Sequence, residues 1–484
     1  MIEDIREMLD EGAEVEFDLV IVGAGPAGMS LALELVGSGL KVAILEAGGR
    51  THPGAEEAAL YEGETTGLAY PVAGSRQRFF GGTSNHWGGW CRPLDDSDLA
   101  EREWMSLSGW PLGHQELAPY YQRAHEVLEI PSDDYDMEQG TSASALLPAD
   151  SSSGFLNTGF RFSPPTRFAE AYGDVLASDP DTTVLLHAAV TGLEHDDNGH
   201  VQAARVRTLE GGRYTVRAGR FVLAAGGLEV PRLLLHTGDD ERSALGNQSN
   251  LLGRCFMEHY GYTPGFVMTR AELKYHRHDG RGGALMPVLA PRPALMAAEQ
   301  LNNACLLLDA VEPDSTWPPE ALATPGLARA LDGPAWRYRV TMINEPSPNR
   351  DSRVTLSDEH DALGMRKLKL HWAIAESDLA GVDRMVVALG RWLGSSGLGR
   401  LQYTRPVSPE TTESFSGGMH HMGTTRMSRD NREGVVNSDC RVFGTDNLYI
   451  ASSSVFPTAG YANPTLTIVA LAVRLAEHLK GGEA

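Results

Sequence analysis

The apolar residues of the chain come in short runs broken by glycine-rich turns, and the spacing within each run sets the element it predicts. Phe17 to Val22 is a compact apolar run with the length of a strand. GAGPAG follows, then a helical pattern from Met29 to Val36, then a second strand from Lys41 to Leu45 that ends in Glu46. Ser108 to Ile130 reads as helix-rich, and the Ser/Ala-rich Thr141 to Gly154 as a mobile loop. From Val184 to Ala224, strands alternate with DDNG and EGG turns, which predicts a small antiparallel meander. It runs into FVLAAGGLEVPRLLL, a strand, a glycine turn and a helix.

Beyond about Tyr260 the pattern changes. Strands are predicted at Tyr262–Thr269, Ala304–Val311, Trp336–Ile343, Arg353–Leu356 and Lys367–Ile374. A helix follows from Asp378 to Leu393, with Ser377 as its cap and Leu379, Val382, Val386, Leu389 and Leu393 on one face. Glu312 to Pro334 is Pro-rich without a period, a lid or an exposed insertion. Near the end, Leu448 to Ala451 forms a strand, and Asn463-Pro464 opens a helix with Asn as N-cap and Pro at the first helical position. Leu466 to Leu475 is apolar on nearly every side, which predicts burial all round.

The opening segment is a βαβ start. Gly23 makes the tight turn, Gly25 lets the backbone approach a pyrophosphate, and Gly28 lets helix and strand pack closely. Glu46 is placed to accept from ribose hydroxyls. This segment alone does not separate NAD from FAD; the second strand–glycine–helix unit, at Ala225 and Gly226, tilts the reading to FAD. RFFGGTSNHWGGW, from Arg78 to Trp90, has the glycine and aromatic content of backbone lying against a flat ligand. The fold class that follows is α/β, a discontinuous Rossmann-like FAD-binding domain with an inserted substrate domain on an antiparallel sheet and helices. Its FAD-binding parts are 12–98, 155–259 and 413–484, with 99–154 a helical and loop segment of the substrate side and 260–412 the substrate-binding domain.

Composition narrows the partners. A formal net charge of −23 over 484 residues disfavours nucleic acid and anionic membrane surfaces. Cys91, Cys255, Cys305 and Cys440 are far apart without a CxxC pair, so neither a metal site nor a disulfide framework is expected. The acidic MIEDIREMLDEGAEVEF lacks the apolar core of a secretory signal, and a cytoplasmic enzyme is expected.

The chain resembles the glucose–methanol–choline (GMC) oxidoreductases, FAD enzymes that oxidise alcohols, over nearly its whole length. The stretches that carry the resemblance are VIVGAGPAGMSLALEL with ILEAGG, GGTSNHWGG, FVLAAGGLEVPRLLL, SRVTLSDEHDALG, HHMGTTRM and NLYIASSSVFPTAGYANPTLTI. Within the family it is most similar to the sugar-oxidising branch, which includes pyranose 2-oxidase-like enzymes and bacterial dehydrogenases of aminoglycoside intermediates. The resemblance implies His420 and Asn463 as the catalytic pair, with His421 as the alternative base. It implies cofactor contacts from Gly82, Ser84, Asn85, His86, Ser453, Pro464 and Thr465 beside the glycines already named. Many members carry an acidic residue where this chain has Ala451-Ser452-Ser453-Ser454, which puts one flavin-phosphate contact in question. His86 matches a histidine covalently joined to flavin in pyranose 2-oxidase; dissociable FAD is the main expectation here, with covalent attachment the lesser one.

The implied reaction moves a hydride from an alcohol carbon to flavin N5 while His420 takes the hydroxyl proton. A sugar or glycoside alcohol is the expected substrate and oxygen or a quinone-like acceptor its counterpart, with the oligomeric state open. Oxidation of a non-sugar alcohol and a non-redox lyase on the same scaffold are the alternatives. For a cationic aminosugar, Glu258, Glu345 and Asp309 are candidate pocket carboxylates.

Overall fold

A computed structural model of the chain describes residues 1–137, 145–280, 282–311, 336–404 and 406–481. The Pro-rich stretch Glu312–Pro334 lies outside the described residues, as does Thr141–Ser144 of the Ser/Ala-rich stretch. The remainder of that stretch is anchored: Leu146 and Leu147 are buried, and Asn157 donates to the Leu147 carbonyl at 2.7 Å.

The short apolar runs become the middle of an eight-stranded sheet, in the order Ile2–Asp4, Thr182–Leu186, Val42–Leu45, Glu14–Val22, Arg213–Leu223, Val201–Arg207 and Ala189–His195. Leu448–Ile450 pairs with the far end of the Arg213–Leu223 strand. The pairs from Ile2–Asp4 to Arg213–Leu223, and that to Leu448–Ile450, are parallel. Leu19 to Ile21 and Val42 to Ile44 are wholly buried, as a parallel sheet covered on both faces requires. The expected meander is antiparallel only from Ala189 onward. The run at Val184 instead pairs in parallel with Val42–Leu45, because its unbroken apolar character suits the centre of the sheet.

The helix Thr465–Lys480 packs against the helices Pro26–Leu35 and His114–Val127. Ten of its residues, from Leu466 to Leu479, are buried. Arg123 holds Glu34 at 2.6 Å, tying the second of those helices to the first. The apolar face of the helix within 99–154 (Leu117, Tyr121, Ala124) therefore belongs to the same core as the parallel sheet.

A second, antiparallel sheet of nine strands runs Gly399–Tyr403, Tyr260–Thr269, Trp336–Asn344, Ala304–Ala310, Gly283–Pro291, Phe155–Phe162 and Trp90–Cys91, with His278–Gly280 and Ser416–Gly417 at its margins. Phe155–Phe162, at the start of the expected 155–259 part, belongs to this sheet. Arg353–His360 and Arg366–Trp372, expected in the large sheet, form a separate three-stranded one with Gly63–Gly67. The helix Glu376–Ser395 starts before Ser377, and its N-cap is Ala375.

Glycine packing at the first turn gives a stability test. A Cβ on Gly28 would run into the Gly23 carbonyl oxygen, whereas one on Gly394 meets nothing within 4 Å. Gly28→Ala is expected to lower the unfolding free energy by about 1–3 kcal/mol or more. Gly394→Ala is expected to raise it by about 0.5–1 kcal/mol. Urea midpoints at fixed FAD concentration separate the two, and equal shifts would contradict this packing.

Candidate functional site

The parallel strands end in register: Val22 lies opposite Leu45 and Leu223, and Leu223 opposite Ile450. The residues that follow, Gly23, Glu46, Ala224 and Ala451, therefore emerge along one edge of the sheet, and all four line a single cavity of about 540 Å³. The crevice outside the carboxyl ends of parallel strands is where α/β sheets bind ligands.

Close backbone contact shapes the wall. Gly23 has φ +106°, and a Cβ there would come within 2.8 Å of the Ala224 carbonyl oxygen. Gly81 N–H donates to the Ala24 carbonyl at 3.0 Å, which lays Gly82 directly over Gly25. Gly226, at φ +79°, lines the cavity beside Ala225, and a Cβ on it would stand free of any neighbour. Glu46 is buried and accepts from the N–H groups of Ala24 at 2.9 Å and Gly48 at 3.0 Å. Burial pushes its carboxyl up, against the pull of those two N–H groups and of Arg78.

Ser84, His86, Ser453, Pro464 and Thr465 also lie on the wall. Two of these hydroxyls are already used. Ser84 donates to the Gly81 carbonyl at 2.7 Å, and Ser453 donates to the His421 carbonyl at 2.6 Å. Gly28 and Asn85 are off the wall. Gly28 packs helix on strand, and Asn85 donates to the Phe80 carbonyl at 2.9 Å. Asn463 does not cap the last helix; Pro464 is its N-cap, and no side chain bonds the first turn. The Asn463 amide instead meets His420 Nε2 at 3.3 Å.

His420 is half-buried on a loop bent around Glu258. Glu258 accepts from the N–H groups of Gly418 at 3.0 Å and His420 at 2.9 Å and from Tyr70 Oη at 2.7 Å. His420 Nδ1 lies 2.9 Å from Nδ1 of His259. Burial, then the neighbouring His259 and His421, hold the His420 imidazole well below its usual range, so it is neutral near pH 7. His421 stacks edge-on against Tyr70 at 5.7 Å and is pushed down to about 3, by burial and then by Arg76.

Several residues that order the site were not legible in the sequence. Arg76 and Arg78 hold Glu229 at 2.7 and 2.8 Å, and Arg232 bridges Glu229 to Asp361. Burial alone would raise the Glu229 carboxyl, but Arg78, Arg232 and Arg76 keep it low. An acid in the first turn after a glycine turn, with RQR upstream, is the only sequence signal of this cluster. Glu258 supports the His420 loop through its N–H groups. Glu345 is paired with Arg102 at 2.6 Å, and Asp309 is exposed at a strand end. None of the three carboxylates offered for a cationic substrate lines the cavity.

These features fit FAD. The Gly25 and Gly82 backbones form a cradle without Cβ atoms, and the first turns of helices Pro26–Leu35 and Thr465–Lys480 carry no side-chain caps among the described residues. Anionic groups bind at such helix N-termini. Four buried atoms of cavity-lining residues, Tyr61 Oη, Arg76 Nε, Gln77 Oε1 and His421 Nε2, have no protein partner among the described residues.

Comparison with known proteins agrees with this reading. The profile of FAD dependent oxidoreductases matches residues 18–246, and that of GMC oxidoreductases matches residues 348–472. The chain is 25% identical to 2-methyl-1,2-propanediol dehydrogenase of Mycolicibacterium austroafricanum, over 96% of this chain and 95% of that one. It is 26% identical to 6'''-hydroxyparomomycin C oxidase of Streptomyces lividus, over 99% and 95%. Its fold is shared with the crystal structure of pyridoxine 4-oxidase from Mesorbium loti, at TM-score 0.63 and 20% identity, over 97% of this chain and 100% of that one. Residues 348–472 are thus those of a GMC oxidoreductase and residues 18–246 those of an FAD dependent oxidoreductase, and the chain is an FAD-dependent enzyme.

Proposed function

We propose that the protein oxidises a hydroxyl of a sugar, glycoside or aminosugar to the carbonyl, with His420 as base and Asn463 as its partner. The observation that carries this reading is the His420–Asn463 pair, 3.3 Å apart on the wall of the cavity framed by the glycine turns. Bound FAD supplies the hydride acceptor. The half-buried, neutral His420 takes the hydroxyl proton at Nε2. Asn463 has a second amide N–H to give the substrate oxygen, which aligns the carbinol carbon. The uncapped N-terminus of the last helix adds partial positive charge beside the pair. His421 is the weaker candidate because its ring is engaged against Tyr70 and Phe256.

The aminoglycoside oxidase relative, aligned over 99% of this chain, supports a sugar hydroxyl. The diol dehydrogenase relative supports the second reading, a small aliphatic alcohol. Cavity-lining Glu46 and Glu229 are both engaged, the first by backbone N–H groups and the second by arginines. Among the described residues, then, recognition by hydroxyl contacts is better supported than capture of a cation. We infer a soluble cytoplasmic setting from the acidic composition; no helix among the described residues is long and apolar enough to cross a membrane.

Anaerobic visible spectra of the FAD-loaded protein with free pyranoses, O- and C-glycosides, aminoglycosides and simple alcohols test the substrate class. Bleaching by one sugar class is expected, and bleaching by simple alcohols alone would favour the second reading. His420→Ala and Asn463→Ala should keep bound FAD, and the first should slow bleaching by about 10²–10⁴-fold. Unchanged bleaching in His420→Ala would remove it as the base. Because burial keeps His420 neutral well below pH 6.5, the bleaching rate should stay level from pH 8 to pH 6. A fall centred near pH 6.5 would show an imidazole titrating normally.

A further inference from the structure

The GMC pair does not stand alone. His420 touches a second imidazole on the side away from Asn463, and that contact decides which of its nitrogens carries the proton. The Gly460 carbonyl can only accept, so His259 Nε2, 2.9 Å from it, must be the protonated nitrogen. Burial pushes His259 down to about 4, so its ring is neutral near pH 7 and its Nδ1 is a bare acceptor. His420 Nδ1, 2.9 Å away, must then donate to it. A neutral His420 protonated on Nδ1 presents its Nε2 lone pair to the Asn463 amide and the cavity.

We propose that His259 is a positioning residue that holds His420 in the tautomer with its proton on Nδ1 and its lone pair on Nε2. An unrestrained neutral histidine carries its proton mainly on Nε2, the wrong nitrogen for a base facing this cavity. The restraint reaches deeper. Gly460 N–H donates to Glu345 at 2.9 Å, and Glu345 is clamped by both terminal nitrogens of Arg102 at 2.6 and 2.8 Å. Both ion-pair partners are buried, and Gly460 takes φ +54° with the Asp98 carboxylate against it, so the carbonyl that fixes His259 has little freedom to turn. Orientation by a partner on the far nitrogen is the logic that aligns histidine bases and metal-bound histidines elsewhere.

The proposal rests on the assignment of His420 as base, and its test is separable from that assignment. Long-range proton–nitrogen NMR of ¹⁵N-histidine-labelled, FAD-loaded protein reads the tautomer without turnover, with His420 identified from its missing signal in His420→Gln. Wild type should show His420 protonated on Nδ1; protonation on Nε2 overturns the proposal, whatever the variants do. His259→Leu and His259→Gln remove the Nδ1 acceptor and should move the proton to Nε2. They should also slow anaerobic bleaching by about 10²-fold or more with FAD still bound. His259→Asn, whose side-chain oxygen can take the place of Nδ1, should restore the tautomer and most of the rate. An unchanged His420 tautomer in both acceptor-deleted variants would overturn the proposal. If wild type shows the expected tautomer but no hydroxyl compound bleaches it, the functional reading fails and the positioning role stands.

Discussion

The close backbone contact of three glycine turns, two of them at the ends of parallel strands, is the constraint on which the rest of the molecule depends. Gly82 lies on Gly25, Gly23 on Ala224, and Gly28 on Gly23, so the two strand–turn–helix units and the GGTSN loop approach more closely than side chains would allow. That approach sets the N-terminus of the helix Pro26–Leu35, which has no side-chain cap, on the wall of the cavity. It also explains why the cavity is continuous from Glu46, at the end of the second strand, to His420 on a loop almost four hundred residues further along.

The opposite wall is held by buried polar groups. Glu258 folds the GGMHH loop over its carboxylate, and the Arg102–Glu345 pair pins Gly460. Burying charge is costly unless every partner is in place, and here each carboxylate has several. Such pairs add little net stability over apolar packing, so their contribution lies in geometry. They fix the peptide groups on either side of His420 and Asn463, on segments that join the two sheets: Ser416–Gly417 pairs with the large antiparallel sheet and Leu448–Ile450 with the parallel one. The segment that carries His420 is therefore tied at one end to each sheet.

The parallel core was legible because its strands are short, apolar on both faces and punctuated by glycine, and the buried last helix because it is apolar all round. His420 and Asn463 were singled out only through resemblance, since one histidine in a loop carries no periodic signal; the structure brings the two side chains together. What the sequence did not disclose follows from side chains that act at a distance along the chain. Asn463 has the composition of an N-cap, yet its amide turns to His420. Glu258 and Glu345 have the composition of surface acids, yet each is buried and bonds backbone N–H groups far along the chain. Strand partners were likewise hidden. Arg353–His360 and Arg366–Trp372 have the same alternation as their neighbours, and only the parallel partner Gly63–Gly67 separates them into another sheet.

The central claim is that a carbinol C–H bond breaks beside His420 while its hydroxyl proton is taken by that residue. The most direct measurement is the rate of anaerobic flavin bleaching with the best substrate carrying hydrogen or deuterium at the carbinol carbon. The account predicts that deuterium slows bleaching several-fold in wild type. Bleaching that is insensitive to deuterium both in wild type and in the slowed His420→Ala variant, or conversion of substrate without any bleaching, would contradict it.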